Sequence, residues 1–380
     1  MTPVSVADFR DAARRRLPAV LFDYIDGGAY AETTLAANVD DLARVRLRQR
    51  VLRDVSSPSL ATRLFGEELD MPVVLSPVGM AGMYARRGEA QAARAATGAG
   101  IPFALSTMGV ASIAEVAAAA RPPWFQLYLV RDRGVIEALL ATARGAGCPV
   151  LLLTVDLPLP STRYRDARHA MIPTSPSGRL GQALDGLAHP AWLWDVWLRG
   201  RPHTLGSLAG AMGDLRGLGQ YWGWIGRNFD PSVTWDDIAW IRDRWPGPLV
   251  LKGILDADDA REAARLGVDG IVVSNHGGRQ LDGAPSSIAA LPAVVDAVGD
   301  RVTVLMDGGV RSGLDVLKAL AVGARGVLVG RAWAYALAAG GEAGVARLLA
   351  LLRRELVVAM SLTGCLDVRA AGRDLLFPAP

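Results

Sequence analysis

The feature that most constrains this chain is an alternation, repeated eight times, of a short apolar run with a longer amphipathic stretch. The runs Val73–Ser76, Pro102–Ser106, Phe125–Leu129, Val150–Asp156, Leu249–Lys252, Gly270–Ser274, Thr303–Met306 and Gly326–Val329 have the length and β-branched content of strands buried on both faces. Between them, Glu89–Ala99, Arg133–Ala146, Ala257–Leu266 and Gly313–Val322 carry helical periodicity, and glycine falls at or just past several of their ends. Repeated βα units give a parallel sheet, and eight of them predict an α/β fold of the (β/α)8 TIM-barrel class. A content of 51% apolar and 21% charged residues supplies the large core that such a barrel needs.

Three segments lie outside the repeat. Residues 1–70 are expected to form an N-terminal helical annex, its first helix signalled by Ser5 with Asp8 three positions on and running towards Tyr24 before Gly27-Gly28. The barrel should occupy 71–340 and a C-terminal helix and tail 341–380, all within one domain of 380 residues. After the fourth strand more than 90 residues intervene, of which only Trp235–Arg244 reads as a barrel helix. The rest, about 165–230, is a long insertion or lid, and its centre, Leu187–Leu205, mixes Trp192, Trp194 and Trp197 with Arg199 and Arg201. Interfacial aromatics beside cations predict peripheral contact with a membrane surface.

A net charge of +3 on 41 basic and 38 acidic residues is no nucleic-acid footprint. Cys148 and Cys365 offer neither a disulfide framework nor metal-ligand spacing, so no metal is expected. Asp8, Arg10 and Asp11 interrupt the apolar run a signal peptide requires, and Ala95–Ala114 is broken by Gly98, Gly100 and Pro102, so neither a signal peptide nor a transmembrane helix is expected.

In a barrel, the loops after the strands gather on one face and carry the chemistry. After strands seven and eight stand Asp307-Gly308-Gly309-Val310-Arg311 and Gly330-Arg331, two glycine loops each with a cation, which suits a phosphate better than two unrelated tight turns. Lys252 closes strand five and would be costly to bury without an anionic partner, as a salt bridge, a Schiff-base lysine or a cofactor contact. Of four histidines only His276 follows a barrel strand, and Arg279 three residues on offers a planar fork for a carboxylate. Together these describe a site that deprotonates a small acid.

The segments Ser274–Asp282 (SNHGGRQLD), Trp124–Tyr128 (WFQLY), Leu153–Asp156 (LTVD), Leu251–Gly253 (LKG) and Asp307–Gly313 (DGGVRSG) resemble the FMN-dependent 2-hydroxy-acid oxidase and dehydrogenase family over nearly the whole chain. Within it, Gly79–Glu89 and His189–Gly206 are most similar to the bacterial respiratory L-lactate dehydrogenases. The resemblance implies that Val78 and Gly79 approach the flavin through backbone, that Ser106, Gln126 and Thr154 hydrogen-bond its ring, and that Lys252 sits beside N1 and O2. It places Asp307, Gly309, Arg311, Gly330 and Arg331 around the ribityl phosphate. Arg279 and Arg163, with Tyr24, would clamp the substrate carboxylate, Tyr128 would bond the reacting hydroxyl side, and His276 paired with Asp156 would be the base. Arg165 competes with Arg163 for the clamp, and whether His276 takes the hydroxyl proton or the α-proton stays open.

The resemblance further implies oxidation of L-lactate to pyruvate, with electrons passing to a quinone or cytochrome on the cytoplasmic side of the inner membrane, and a homo-oligomer, often a tetramer in this family. Mandelate, longer acids, glycolate or oxygen as acceptor are the alternatives. Met108, two residues after Ser106 where some glycolate oxidases carry Trp, argues against glycolate. A flavin-free aldolase using Lys252 as a Schiff base would keep the phosphate loops. A catalytically dead scaffold gives no reason for His276, Arg279, Lys252 and Asp156 to end strands.

Overall fold

The computed structural model describes residues 2–169, 175–212 and 218–377. Eight parallel strands, β1 (Val73–Leu75), β2 (Ala104–Ser106), β3 (Trp124–Tyr128), β4 (Leu151–Thr154), β5 (Leu249–Ile254), β6 (Gly270–Val273), β7 (Thr303–Asp307) and β8 (Gly326–Val329), pair in sequence order, with β8 returning to β1. A parallel bridge between Leu75 and Phe103 closes the ring between β1 and β2. Each strand lies within about two residues of its expected run, because strands buried on both faces show as unbroken apolar segments. The predicted helices stand at Gly88–Gly98, Arg133–Gly145, Ala257–Arg265 and Gly313–Val322, and Trp235–Arg244 resumes the repeat after the insertion.

The barrel interior is a separate core of Val74, Ala104, Trp124, Leu152, Val250, Val272, Leu305 and Leu328. Its N-terminal end is stoppered by an antiparallel hairpin, Thr62–Leu64 with Glu67–Leu69, that contributes Leu64, Leu69 and Phe65 to that core. The Phe65 ring meets Trp124 edge-on at 5.6 Å, and the Trp124 indole N–H donates to Glu67 (2.5 Å). The annex is therefore not wholly helical as expected, since these three-residue strands are too short and too charged to show a period.

The opening helix also differs. Ser5 and Asp8 form the predicted capping box, but the chain makes two helices, α1 (Val6–Arg16) and α2 (Ala19–Asp26), with Pro18 at the break. Proline has no N–H for the ladder and displaces the preceding residue from helical geometry, so the run cannot continue through it. The last helix, Arg331–Thr363, is interrupted at Gly340-Gly341, where both residues leave helical geometry.

In the insertion, Trp192 and Val196 are buried against the barrel loops while Trp194, Trp197 and Leu198 are exposed. The Trp192 indole donates to the carbonyl of Met83 (2.8 Å), and Gly206 donates to the carbonyl of Gly109 (3.0 Å). Among the described residues no helix is long and apolar enough to cross a membrane.

Candidate active site

The strand ends open into a cavity of about 410 Å³, within the size range of small-molecule sites. At β5 the sheet register skips between Lys252 and Ile254, and Gly253 adopts φ 115°. A Cβ at Gly253 would lie 2.6 Å from the Asp156 side chain, so this glycine makes the room in which Asp156 sits.

Asp156 Oδ1 lies 2.8 Å from His276 Nδ1, and the Asp156 carbonyl accepts from Gln280 (2.9 Å). His276 itself has φ 58°, a left-handed conformation, and its N–H donates to Ser274 Oγ (3.0 Å). Burial pushes the imidazole below the usual histidine range, against the pull of Asp156. Burial alone would raise the Asp156 carboxyl, but His276 and Lys252 outweigh it and hold it below the ordinary value. The resting pair is thus a carboxylate and a neutral imidazole, with Nε2 available as a base.

Lys252, buried, donates to Ser274 Oγ (2.9 Å) and pairs with Asp307 Oδ2 (2.8 Å). Burial would discharge the ammonium, but Asp307 and Asp156 outweigh that and raise its pKa. A lysine held charged between two carboxylates is poorly suited to be a Schiff-base nucleophile, which requires a neutral amine. Ser274, which accepts from both Lys252 and the His276 backbone, was not singled out by sequence reasoning, although it heads the SNHGGRQLD segment.

The two candidate clamp arginines converge. Arg279 lies over the Tyr24 ring at 4.8 Å and donates from Nη1 to the carbonyls of Tyr24 (2.5 Å) and Gly27 (3.1 Å). Arg163 Nε donates to the Arg279 carbonyl (3.3 Å), and burial, then the neighbouring Arg279, lower the Arg163 pKa. Two part-buried guanidinium groups side by side suit an incoming carboxylate. Arg163 lines the cavity, whereas Arg165 does not and is held by Asp26 (2.6 Å) and Glu32 (2.6 Å).

Tyr128 lines the cavity with its ring 5.3 Å from Phe229, and burial keeps its hydroxyl protonated. Phe229 was missed in the sequence because it stands at the far end of the insertion, brought to β3 by a bridge to Val130. With Met108 and Leu157 it forms an apolar wall.

Val78, Gly79, Ser106 and Thr154 line the same cavity, as do Asp307, Gly309, Arg311, Gly330 and Arg331. Gln126 lies behind Ser106, which donates to its Oε1 (2.9 Å). Among the described residues Gln126 Nε2 and Asp307 Oδ1 are buried without partners, a donor for a ring carbonyl and an acceptor for a sugar-chain hydroxyl. Gly330 opens the last helix, whose first N–H groups suit a phosphate. These observations fit FMN. The Arg331 guanidinium donates to the carbonyls of Ile25 (3.0 Å), Gly277 (2.7 Å) and Gly27 (2.7 Å), which ties the strand-eight loop to the annex, and Arg311 lines the same cavity with its Nη1 on the Val310 carbonyl (2.9 Å).

Fold and site together define a (β/α)8 barrel whose strand-end cavity is lined by an imidazole, guanidinium groups and two glycine loops. The chain belongs to the FMN-dependent dehydrogenase family, whose profile matches residues 13–378. It is 60% identical over 373 residues to an L-lactate dehydrogenase of Caulobacter vibrioides, covering 98% of this chain and 97% of the relative. An L-lactate dehydrogenase of Chromohalobacter salexigens is 57% identical over 370 residues, 97% of this chain and 94% of that one. Among solved structures, the monotopic membrane protein (S)-mandelate dehydrogenase superposes with a TM-score of 0.93 at 36% identity, covering 100% of both chains. A mandelate oxidase does so at 0.84 and 39%, covering 99% and 98%. The protein is an FMN-dependent oxidoreductase acting on a CH–OH donor.

Proposed function

We propose that the chain oxidises L-lactate to pyruvate and passes the electrons to a respiratory acceptor, a quinone or cytochrome, while resting on the cytoplasmic face of the inner membrane. The observation that carries the reading is the single cavity in which the His276–Asp156 pair faces Arg163 and Arg279. FMN, when bound, takes up the two electrons that leave the substrate.

The chain's own residues do the rest. Arg279 and Arg163 bind the carboxylate with Tyr24 beside them, and so present the α-carbon towards His276. The Tyr128 hydroxyl bonds the substrate oxygen. His276 Nε2 takes one proton while Asp156 holds Nδ1–H and stabilises the imidazolium formed. Lys252, kept charged, offsets negative charge that develops beside it. Val78 and Gly79 would hold the flavin through backbone, Ser106, Gln126 and Thr154 its ring, and Asp307, Gly309, Arg311 and Gly330 its ribityl phosphate.

An aromatic acid is the second reading, favoured by the structural likeness to mandelate dehydrogenase. The 60% identity to a lactate enzyme against 36% to the mandelate enzyme favours the smaller substrate. Anaerobic mixing with L-lactate, D-lactate, glycolate and L-mandelate distinguishes them: fast bleaching of the flavin by L-lactate is expected, and faster bleaching by L-mandelate would replace this reading with the second.

Support for the membrane comes from the helix Pro176–Ala188, where Leu180, Leu184 and Leu187 recur at helical spacing and are 62%, 58% and 65% exposed. Trp194, 60% exposed beneath the Arg199 guanidinium, and Leu198 add to this apolar surface. Replacing all three leucines by Asp should release the protein from anionic vesicles while turnover with a soluble dye persists. Unchanged vesicle binding would refute the membrane assignment.

A further inference from the structure

Arg165, outside the cavity lining, is bonded to a buried carboxylate that accepts four hydrogen bonds. Asp26, 5% exposed at the end of α2, accepts from Arg10 Nε (2.5 Å) and Nη2 (2.8 Å), from Arg165 Nη1 (2.6 Å) and from the Tyr335 hydroxyl (2.7 Å). Those donors come from three separate parts of the chain: α1, the short helix Tyr164–Arg168 that follows β4, and the helix after β8. Arg165 reaches with its other nitrogen to Glu32 Oε2 (2.6 Å), and Glu32 Oε1 accepts the Gly28 N–H (2.9 Å). His169 adds a further tie from the same helix to α2, through Asp23 (2.5 Å).

The consequence lies two residues away on each side. Asp26 is two residues after Tyr24, and Arg165 two residues after Arg163, which is the N-cap of the helix carrying Arg165. On its upstream side Arg163 is fastened to the His276 loop, by Ser161 Oγ donating to the Gln280 carbonyl (2.5 Å) and by its own Nε on the Arg279 carbonyl. Those bonds reach α2 through the Arg279 side chain, which donates to the Tyr24 carbonyl. The Arg165–Asp26 pair joins directly the two elements on which Arg163 and Tyr24 stand, with His169–Asp23 beside it.

We propose that Arg165 and Asp26 are positioning residues for the substrate carboxylate: their ion pair holds Arg163 opposite Tyr24 and Arg279, so that the clamp is assembled before the acid arrives. A guanidinium on an unbraced segment would have to be ordered by each substrate molecule, and that cost would appear as weaker binding and not as slower chemistry. The inference rests on the hydroxy-acid reading above, but not on which acid is preferred.

The test uses the FMN-loaded full chain with Arg165→Met, Arg165→Lys and Asp26→Asn. Propionate, which is lactate without its hydroxyl, reports carboxylate binding alone through its inhibition constant and its perturbation of the flavin spectrum. Arg165→Met should raise KM for the oxidised acid and the propionate constant together by about tenfold, with kcat within threefold of the parent. Arg165→Lys should recover part of both, since an ammonium can reach one carboxylate but not bridge Asp26 and Glu32 in a fork. A merely structural brace would lower the melting temperature and leave the propionate constant unmoved, and that result in Arg165→Met overturns the proposal. Should Asp26→Asn fail to fold, the two Arg165 variants decide alone. Failure of the wild type to oxidise any 2-hydroxy acid would instead refute the functional reading, since propionate binding is measured without turnover.

Discussion

Replacing Asp156 by Asn is the sharpest probe of the base. The amide keeps the size of the carboxylate in the space that Gly253 leaves for it, so the perturbation is electrical and tautomeric, not steric. A hydrogen bond to an ionised group is worth about 1.5–3 kcal/mol, and two unit charges roughly 4 Å apart at an effective dielectric of about 20 interact by about 4 kcal/mol. With the 2.8 Å contact to His276 Nδ1 lost as a charged one, about 3–4 kcal/mol of imidazolium stabilisation should go. At about 1.36 kcal/mol per decade that lowers the rate of flavin reduction roughly 100- to 1,000-fold. KM should change little, because neither arginine of the clamp is touched. The assay is anaerobic stopped-flow bleaching, on protein whose FMN content matches the parent. The pH profile gives a second reading. The base must be neutral, so kcat/KM rises with pH through the His276 titration, and burial places that limb below the ordinary histidine value. Asp156 raises the His276 pKa, so its removal should move the limb to still lower pH. Flavin reduction within threefold of the parent, or a limb that moves upward, would refute the pairing.

Lys252→Met strips the buried Asp307 carboxylate of its ammonium partner at 2.8 Å, and removing one partner from a buried pair costs about 3–5 kcal/mol. Urea melts should show that loss, and Lys252→Met,Asp307→Asn should recover part of it without recovering flavin reduction. Phe229→Ala opens the apolar wall beside Tyr128, and the ratio of kcat/KM for L-mandelate to that for L-lactate should rise at least tenfold, as about 1–3 kcal/mol of pocket discrimination implies; an unchanged ratio would mean that the α-substituent points elsewhere.

Much of this was legible in the sequence, for physical reasons. Strands buried on both faces have no polar alternation to blur them, and the proposed site residues sit at or just past their ends, where order along the chain becomes order around the ring. The roles of neighbours were less legible. Arg163 and Arg165 have the same side chain two positions apart, and only the carboxylates of Asp26 and Glu32, more than 130 positions away in the chain, tell them apart. Arg331 reads as a phosphate ligand because it follows Gly330, and its bonds to the carbonyls of Ile25, Gly27 and Gly277 left no signal in the sequence. Phe229 gave no local signal, since its place beside Tyr128 depends on how an insertion returns.

The hairpin that stoppers the N-terminal end of the barrel leaves the strand-end face for the traffic of small molecules. Leu64, Leu69 and Phe65 fill the end of the barrel interior opposite the cavity at the strand ends. A keto acid and an acceptor that both use the strand-end face must do so in turn, so the keto acid would depart before the acceptor collects its electrons. Double-reciprocal plots at several acceptor concentrations should accordingly run parallel, the signature of a ping-pong cycle.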